Sequence, residues 1–121
     1  MRKGNNNGLM LPAMRGKALH KYITEQVARV LVSAGFSVKA EFGIQLAGGR
    51  KDYVDLLVSR GAGEFVFEIE TTPRHALKNA FMADELGLRL WIVTPSRKVS
   101  SAIIKKLKGV LNQEKSILFL T

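Results

Sequence analysis

The spacing of hydrophobic residues changes from a helical to an extended period within the first third of the chain. Between residues 17 and 34, apolar side chains recur every three or four positions, which predicts an amphipathic helix that Gly35 ends. Residues 37–46 then alternate between apolar and polar, which predicts a strand, and Gly48-Gly49 predicts a turn after it.

A hairpin is predicted next, from residue 53 to residue 71. Residues 53–59 and 64–71 form its strands, and Arg60-Gly61-Ala62-Gly63 forms the loop between them. The second strand alternates regularly, with Phe65, Phe67 and Ile69 on one face and Glu64, Glu68 and Glu70 on the other. The polar face of such a strand is ordinarily solvated, so the alternation alone does not require a function for these glutamates.

The second half of the chain predicts two helices around one buried strand. Thr72-Pro73 is typical of a helix start, and this helix is expected to reach about Leu86 before Gly87 ends it. Its expected buried residues are Ala76, Leu77, Ala80 and Phe81. The apolar run 88–93 predicts a strand buried on both faces. A last helix over 96–111 has an apolar stripe formed by Ile103, Ile104, Leu107 and Leu111, and residues 116–120 are a candidate final strand.

This order of elements predicts an α/β fold. The sequence runs through a helix, a three-strand meander, a helix, a strand, another helix and the candidate strand, which is typical of a mixed sheet flanked by helices. A single domain over residues 17–121 is expected, because 121 residues support one modest hydrophobic core. Residues 1–16 show no periodicity and are predicted to form a flexible basic arm.

Charge and composition favour some classes of function and exclude others. The chain carries 19 Lys and Arg against 10 Asp and Glu, a net charge of +9 that favours nucleic acid as the partner. No apolar run approaches the roughly eighteen residues of a membrane span, and no hydrophobic signal segment is evident, so we expect a cytoplasmic (intracellular) protein without a membrane partner. The absence of cysteine excludes thiolate nucleophiles, disulfides and thiolate zinc sites.

Acidic residues are concentrated in one segment of this basic chain. Five of its ten carboxylates lie between Asp52 and Glu70. Like charges repel, so a fold tolerates such a cluster if the groups point apart, protonate or share a cation. The predicted hairpin brings Asp55 and Glu68 together, and two carboxylates with water and substrate phosphate are suitable ligands for Mg²⁺. A bound ion would polarise a phosphodiester and lower the pKa of a water molecule.

Two segments carry a resemblance to a known family. Val54-Asp55-Leu56-Leu57-Val58 and Phe67-Glu68-Ile69-Glu70, followed by a helix and a buried strand, resemble the PD-(D/E)xK nuclease superfamily, which has the restriction-endonuclease-like fold and includes archaeal Holliday-junction resolvases. The core of that superfamily is similar in order to residues 17–95, about two-thirds of this chain. The resemblance implies a DNA endonuclease that uses Mg²⁺ or Mn²⁺, with structure-selective cleavage as one option. It also implies Asp55, Glu68 and the carbonyl of Ile69 as metal ligands, and a homodimer, because one site cuts one strand.

Two departures from the motif bear on activity. Val54 stands where the motif has proline, and Glu70 stands where it has lysine. Glu70 is then a general base or a second-metal ligand, or Lys78 or Lys51 supplies the missing positive charge. Alternatively the site is inactive, and the chain is a DNA-binding module of the same fold. We favour activity, with Lys78 steadying the water, because the three carboxylates occur together.

Basic residues near the predicted site and along the last helix are candidate nucleic-acid contacts. They are Arg50, Lys51, Arg74, His75, Arg97, Lys98, Lys105, Lys106 and Lys108. A solvated basic face is the alternative for the last five, and His20 is interpreted as a surface residue of the first helix. RNA stays open as a substrate, although an aromatic content of 7% indicates no obvious base-stacking platform.

Overall fold

The computed structural model describes residues 14–108 and 117–120. Within these ranges lie the helices α1 (Gly16–Ser33), α2 (Ala76–Leu86) and α3 (Arg97–Leu107). The strands are β1 (Ser37–Gln45), β2 (Lys51–Arg60), β3 (Gly63–Ile69), β4 (Arg89–Val93) and β5 (Ile117–Leu120). Short 3-10 turns occupy Ala47–Gly49 and Pro73–His75.

The strands form one mixed sheet in the order β1-β2-β3-β4-β5. The first three strands pair antiparallel, whereas β4 pairs parallel with both β3 and β5. The predicted α/β class, the meander and the order of elements are therefore confirmed. Residues 1–13 of the predicted arm and Leu111 lie outside the described residues, and Gly16, which the sequence assigns to the arm, is the first residue of α1.

Helices cover both faces of the sheet. On one face, Ile23 of α1 packs in a cluster with Leu56. On the other, Ala80 of α2 and Ile103 of α3 pack in a cluster with Ile92 of β4. The predicted burial of β4 on both faces is confirmed. The second half of β3 is also covered on both faces, since Val66 packs in the α2–α3 cluster and Phe67 in the α1 cluster. Glu68 and Glu70 are therefore buried, whereas Glu64 at the start of the strand is exposed.

Two strands change the face that they present to the core partway along. Leu56 packs with the α1 cluster, whereas Val54, two residues earlier on β2, packs with the α2–α3 cluster. The change occurs at Asp55, and β1 makes the same change at Glu41, whose φ of 47° is unusual for a residue other than glycine. The strand predicted over residues 37–46 is confirmed, with Val38, Phe42 and Ile44 partly buried, but the expected apolar position Ala40 is exposed next to this change of face.

The helices differ from prediction at two positions expected to be buried. Phe81 and Ile104 are 48% and 49% exposed. Ala76 and Ala80 of α2 are buried as predicted and Leu77 is partly buried, whereas Asn79, Met82 and Ala83 are further buried positions. Thr72 accepts a hydrogen bond from the Arg74 N–H at 3.3 Å, as its predicted capping role requires, but a 3-10 turn precedes α2. None of the helices in the described part of the chain combines the length and apolar composition needed to cross a bilayer.

Candidate functional site

A cleft of about 230 Å³ opens where β2 separates from β3. The register between these strands ends at the pair Leu56↔Phe67, and residues 51–54 of β2 continue beyond it in register with β1 alone. The start of α1 and the start of α2 contribute side chains to the walls of the gap. The cleft is lined by the predicted residues Asp55, Glu68, Ile69, Glu70, His75 and Lys78.

Asp55 and Glu68 connect the two strands through their side chains at this point. The Ile69 N–H donates to Asp55 Oδ2 at 2.8 Å, and the Asp55 N–H donates to Glu68 Oε2 at 3.2 Å. Each carboxyl group thus serves as the acceptor where a backbone carbonyl would stand in an unbroken ladder. The exchange holds both carboxyl groups together on the cleft wall.

The environments of these two carboxyl groups have opposite effects on their pKa values. Burial raises the pKa of Glu68 well above its usual value, and the charge of Asp55 adds to this effect. Burial would also raise the pKa of Asp55, but hydrogen bonds from His20 and from the Ile69 N–H outweigh it, so the pKa of Asp55 is lowered. An ionised Asp55 beside a protonated Glu68 is how the fold tolerates the pair without a cation.

Glu70 follows the end of β3 and is buried against α2. Asn79 Nδ2 donates to Glu70 Oε2, and the Glu70 N–H donates to the Val93 carbonyl at 2.9 Å. Burial raises the pKa of Glu70 to about 7, although the hydrogen bond from Asn79 opposes the shift. A carboxyl group with this pKa can exchange a proton near neutral pH, as a general acid or base must.

The interpretation of His20 as a surface residue is wrong. Its side chain is 38% exposed, and Nε2 lies 3.1 Å from Asp55 Oδ2. This hydrogen bond raises the pKa of His20, outweighing the opposite effect of burial. His20 lies three residues before Ile23, the buried residue of α1, so it points from the same side of the helix towards the sheet.

The oxygen donors of the cleft fit a hard divalent cation. Mg²⁺ takes oxygen ligands and usually keeps several water molecules beside one or two carboxylates. Among residues 14–108 and 117–120, no three His, Asp, Glu or Cys side chains are arranged to hold an ion by themselves. Asp55 and Glu68 are two carboxyl groups of this cleft that could hold such an ion, with the remaining ligands from water and substrate.

The other predicted contacts near the cleft fall into two groups. Lys78 is 63% exposed with Nζ 3.5 Å from Asp52 Oδ2, so its amine lies at the rim. Lys51, Arg74 and His75 are also exposed. Arg50, by contrast, is held by Glu85, with Nη2 2.9 Å from Oε1, and its Nε donates to the Ala47 carbonyl at 3.2 Å. Arg50 thus ties the 47–49 turn to α2.

The basic residues predicted on the last helix lie on its exposed positions. They are Arg97, Lys98, Lys105, Lys106 and, directly after the helix, Lys108. Lys106 Nζ donates to the carbonyls of Pro73 at 3.1 Å and Arg74 at 3.4 Å. The carboxyl-terminal part of α3 is therefore attached to the turn beside the cleft, which brings its charges near the candidate site.

Sequence reasoning missed His20, Asn79 and Tyr53 as cleft residues. Asn79 lies three residues after Ala76 and four before Ala83, so it shares their buried side of α2. A polar residue on the buried stripe of a helix is the signal that identifies both His20 and Asn79. Tyr53 lies two residues before Asp55 on β2, and both side chains line the cleft.

Comparisons with known proteins bear on the fold. No protein-family model and no curated protein matches the chain. Among solved structures, it is similar to the crystal structure of a protein of unknown function, AF1548, with a TM-score of 0.57 and 16% sequence identity. The similarity covers 81% of this chain and 55% of that one, so the chain spans about half the length of AF1548. At this identity, the two proteins share a fold and nothing further follows.

Proposed function

We propose that the chain is a Mg²⁺-dependent DNA endonuclease of the PD-(D/E)xK superfamily, with the restriction-endonuclease-like fold. The observation that carries the proposal is a pair of hydrogen bonds, from the Ile69 N–H to the Asp55 carboxyl group and from the Asp55 N–H to the Glu68 carboxyl group, which holds the two carboxyl groups together where the sheet opens. The net charge of +9 supports a polyanionic substrate, since an acidic cleft in a basic protein selects for a cation and a phosphate together.

The metal ligands would be Asp55, Glu68 and the Ile69 carbonyl. When bound, Mg²⁺ supplies a Lewis acid for the scissile phosphate and a water of lowered pKa. Mn²⁺ is expected to substitute, because it accepts the same oxygen ligands. His20 positions Asp55 through the 3.1 Å contact, as an outer hydrogen bond orients a metal-binding side chain.

The remaining cleft residues accept the proton of the attacking water and stabilise the negative charge on the phosphate. Glu70 accepts the proton of the attacking water, and its pKa of about 7 supports this role. Asn79 holds the Glu70 carboxyl group in place. Lys78 at the rim faces the negative charge that develops on the phosphate. The basic residues of α3 and Arg74 contact the phosphodiester backbone without reading its sequence.

A homodimer and an intracellular location are part of the proposal. One site hydrolyses one strand, so cleavage of both strands, or resolution of a junction, needs two copies. The absence of cysteine is compatible with a reducing compartment.

The test is cleavage of labelled duplex, single-stranded and four-way-junction DNA in Mg²⁺, Mn²⁺ or EDTA. Wild type is expected to cut in either metal and not in EDTA. Asp55→Asn and Glu68→Gln should abolish cutting, because each removes a metal ligand and changes no side-chain volume appreciably. The matched control is Glu64→Gln, since Glu64 is exposed on the same strand and lies outside the cleft.

The rival function is a non-catalytic DNA-binding module, which the replacement of the motif lysine by Glu70 favours. In that case no metal would support cutting, and DNA binding would survive both Asp55→Asn and Glu68→Gln. Removal of negative charge from the cleft would then tighten binding, because repulsion of phosphate is reduced.

A further inference from the structure

Tyr53 combines two properties that its neighbours do not share. Its side chain lines the cleft, yet the residue is 62% exposed. It lies two residues before Asp55 on β2, and a strand rises about 3.3 Å per residue, so the two positions are separated by roughly 7 Å. The aromatic ring is therefore next to the candidate metal site on the open side.

The cross-strand partner of Tyr53 is Gly43 on β1, and the Tyr53 ring packs over this glycine. A Cβ atom on Gly43 would lie 3.2 Å from the Tyr53 Cε1, so the ring occupies space that any other residue at position 43 would contest. Packing over a strand glycine explains why one side of the Tyr53 ring is in contact with β1. It does not explain why the rest of the ring is exposed at the cleft.

Positive charge flanks the ring. Lys51 lies two residues before Tyr53 on the same side of β2, and Lys78 stands at the rim with a 63% exposed side chain. The rim and wall of the cleft therefore combine a cation at Lys78, an aromatic ring at Tyr53 and a carboxylate at Asp55. Proteins that bind unpaired nucleic acid combine such elements, because cations attract the phosphates while an aromatic face stacks on a base.

We infer that Tyr53 is a stacking platform for an unpaired nucleobase adjacent to the phosphate held at Asp55. The inference rests on the proposed nuclease function and names its substrate class, which is DNA with an unpaired base beside the cleavage position, as in a single strand, a flap or a branch point. An intact duplex keeps its bases inside the helix, and extruding one costs unstacking free energy. The exposed Tyr53 ring supplies the platform that the aromatic content did not indicate.

The experiment measures binding in EDTA, so that no strand is cut. The probes are a short labelled single strand, the same strand with one abasic nucleotide at successive positions, and the matching duplex. Tyr53→Leu keeps an apolar cover on Gly43 but has no aromatic face, whereas Tyr53→Phe keeps the ring. The matched control is Phe81→Leu, which removes a 48% exposed ring from α2 outside the cleft.

The expected result is that Tyr53→Leu weakens binding of the single strand by about 5- to 100-fold, the range for losing one base stack. Tyr53→Phe and Phe81→Leu should bind as wild type does. One abasic position should weaken binding to wild type and leave binding to Tyr53→Leu unchanged, which a merely misfolded variant would not reproduce. Duplex affinity should be the same in all variants.

Equal single-strand affinity of wild type and Tyr53→Leu would overturn the inference, as would equal losses on single strand and duplex. Cleavage in Mg²⁺ tests the nuclease separately. A protein that cuts DNA but binds single strands independently of Tyr53 refutes only the stacking role. A protein that never cuts but needs Tyr53 for single strands refutes only the nuclease.

Discussion

The three carboxyl groups of the cleft differ in protonation because their hydrogen-bond partners differ. Asp55 accepts from the Ile69 N–H and contacts His20, and both contacts favour its negative charge. Glu68 and Glu70 lie deeper, and burial raises the pKa of each. The metal-free cleft therefore carries less negative charge near neutral pH than its composition indicates.

Glu70→Gln is expected to reduce the pH dependence of folding stability in EDTA. The pKa of Glu70 rises from 4.5 to about 7 in the folded state, so folding favours the protonated form. Its contribution is complete below pH 4.5 and is lost as the pH rises through 7. The loss amounts to about 3 kcal/mol. The glutamine variant should match wild type near about pH 4 and be more stable near about pH 8, as urea unfolding would measure.

The control for this effect is Glu64→Gln. It makes the same chemical change at an exposed position at the start of β3, outside the cleft. Glu68 should also make the folded state less stable as the pH rises, because burial raises its pKa as it does that of Glu70. A metal-free wild type whose stability increases between about pH 5 and about pH 8 would contradict the protonation states described here.

His20→Ala is expected to raise the Mg²⁺ concentration needed for half-maximal cleavage by about 10- to 100-fold, the usual effect of losing an outer hydrogen bond to a metal ligand. His20→Gln should recover part of the loss, since its amide can still donate to Asp55. Lys21→Ala, one position along α1 and exposed, is the control. If His20→Ala lowered cleavage at saturating Mg²⁺ without shifting the metal dependence, a role in positioning Asp55 would be refuted.

At the scale of secondary-structure elements, the paired bend of β1 and β2 creates the cleft. A straight β2 would continue its ladder with β3 past Leu56, and Asp55 would then pair through its backbone. The bend frees the edge of β2 at residues 51–55 and leaves the side chains of Asp55 and Glu68 to complete the hydrogen bonding. Glu41, with φ of 47°, marks the bend on β1.

Glu41→Gly should change stability little, because two effects oppose each other. A residue with a side chain is disfavoured at this φ by roughly 1–2 kcal/mol, whereas glycine loses about 0.5–1 kcal/mol more entropy on folding. Ala40→Gly, at the preceding exposed position, should show only the entropy loss of glycine and should destabilise the fold by about 0.5–1 kcal/mol. Chemical denaturation measures both, and an equal loss in the two variants would argue against a bend at Glu41.

At the scale of the whole molecule, positive charge surrounds an acidic cleft. The exposed lysines at the end of α3 are held near the cleft by the hydrogen bonds of Lys106 to the turn 73–74. Phosphate contacts of this kind make binding depend on salt, because each one releases a counterion from DNA. The affinity for DNA should therefore fall steeply as the salt concentration rises.

The double variant Lys105→Gln with Lys108→Gln should make the slope of log affinity against log salt shallower by about 2 on duplex DNA. Arg60→Gln is the control, since it removes one charge at the opposite end of β2, where Arg60 stacks over Phe36. Fluorescence anisotropy over a salt series gives the slopes. A slope unchanged by the lysine substitutions would exclude these residues as phosphate contacts.

The features determined by the sequence alone are those with a local physical cause. Hydrophobic period distinguishes helices from strands, and the glycines and Thr72-Pro73 mark where they end, so the element order and the mixed α/β class follow from neighbours in the chain. The concentration of five carboxylates in a chain of net charge +9 is likewise a property of composition. It indicated Asp55, Glu68 and Glu70 before their positions in space were known.

Only the tertiary structure decided how these residues meet. Alternation predicts a solvated face for Glu68 and Glu70, but α2 covers that face and raises their pKa values. The contact of His20 with Asp55 joins residues 35 positions apart, and the bend at Asp55 depends on how β1 and β2 pack between two helical layers. Burial and long-range contacts are set by the assembled fold, and no local pattern specifies them.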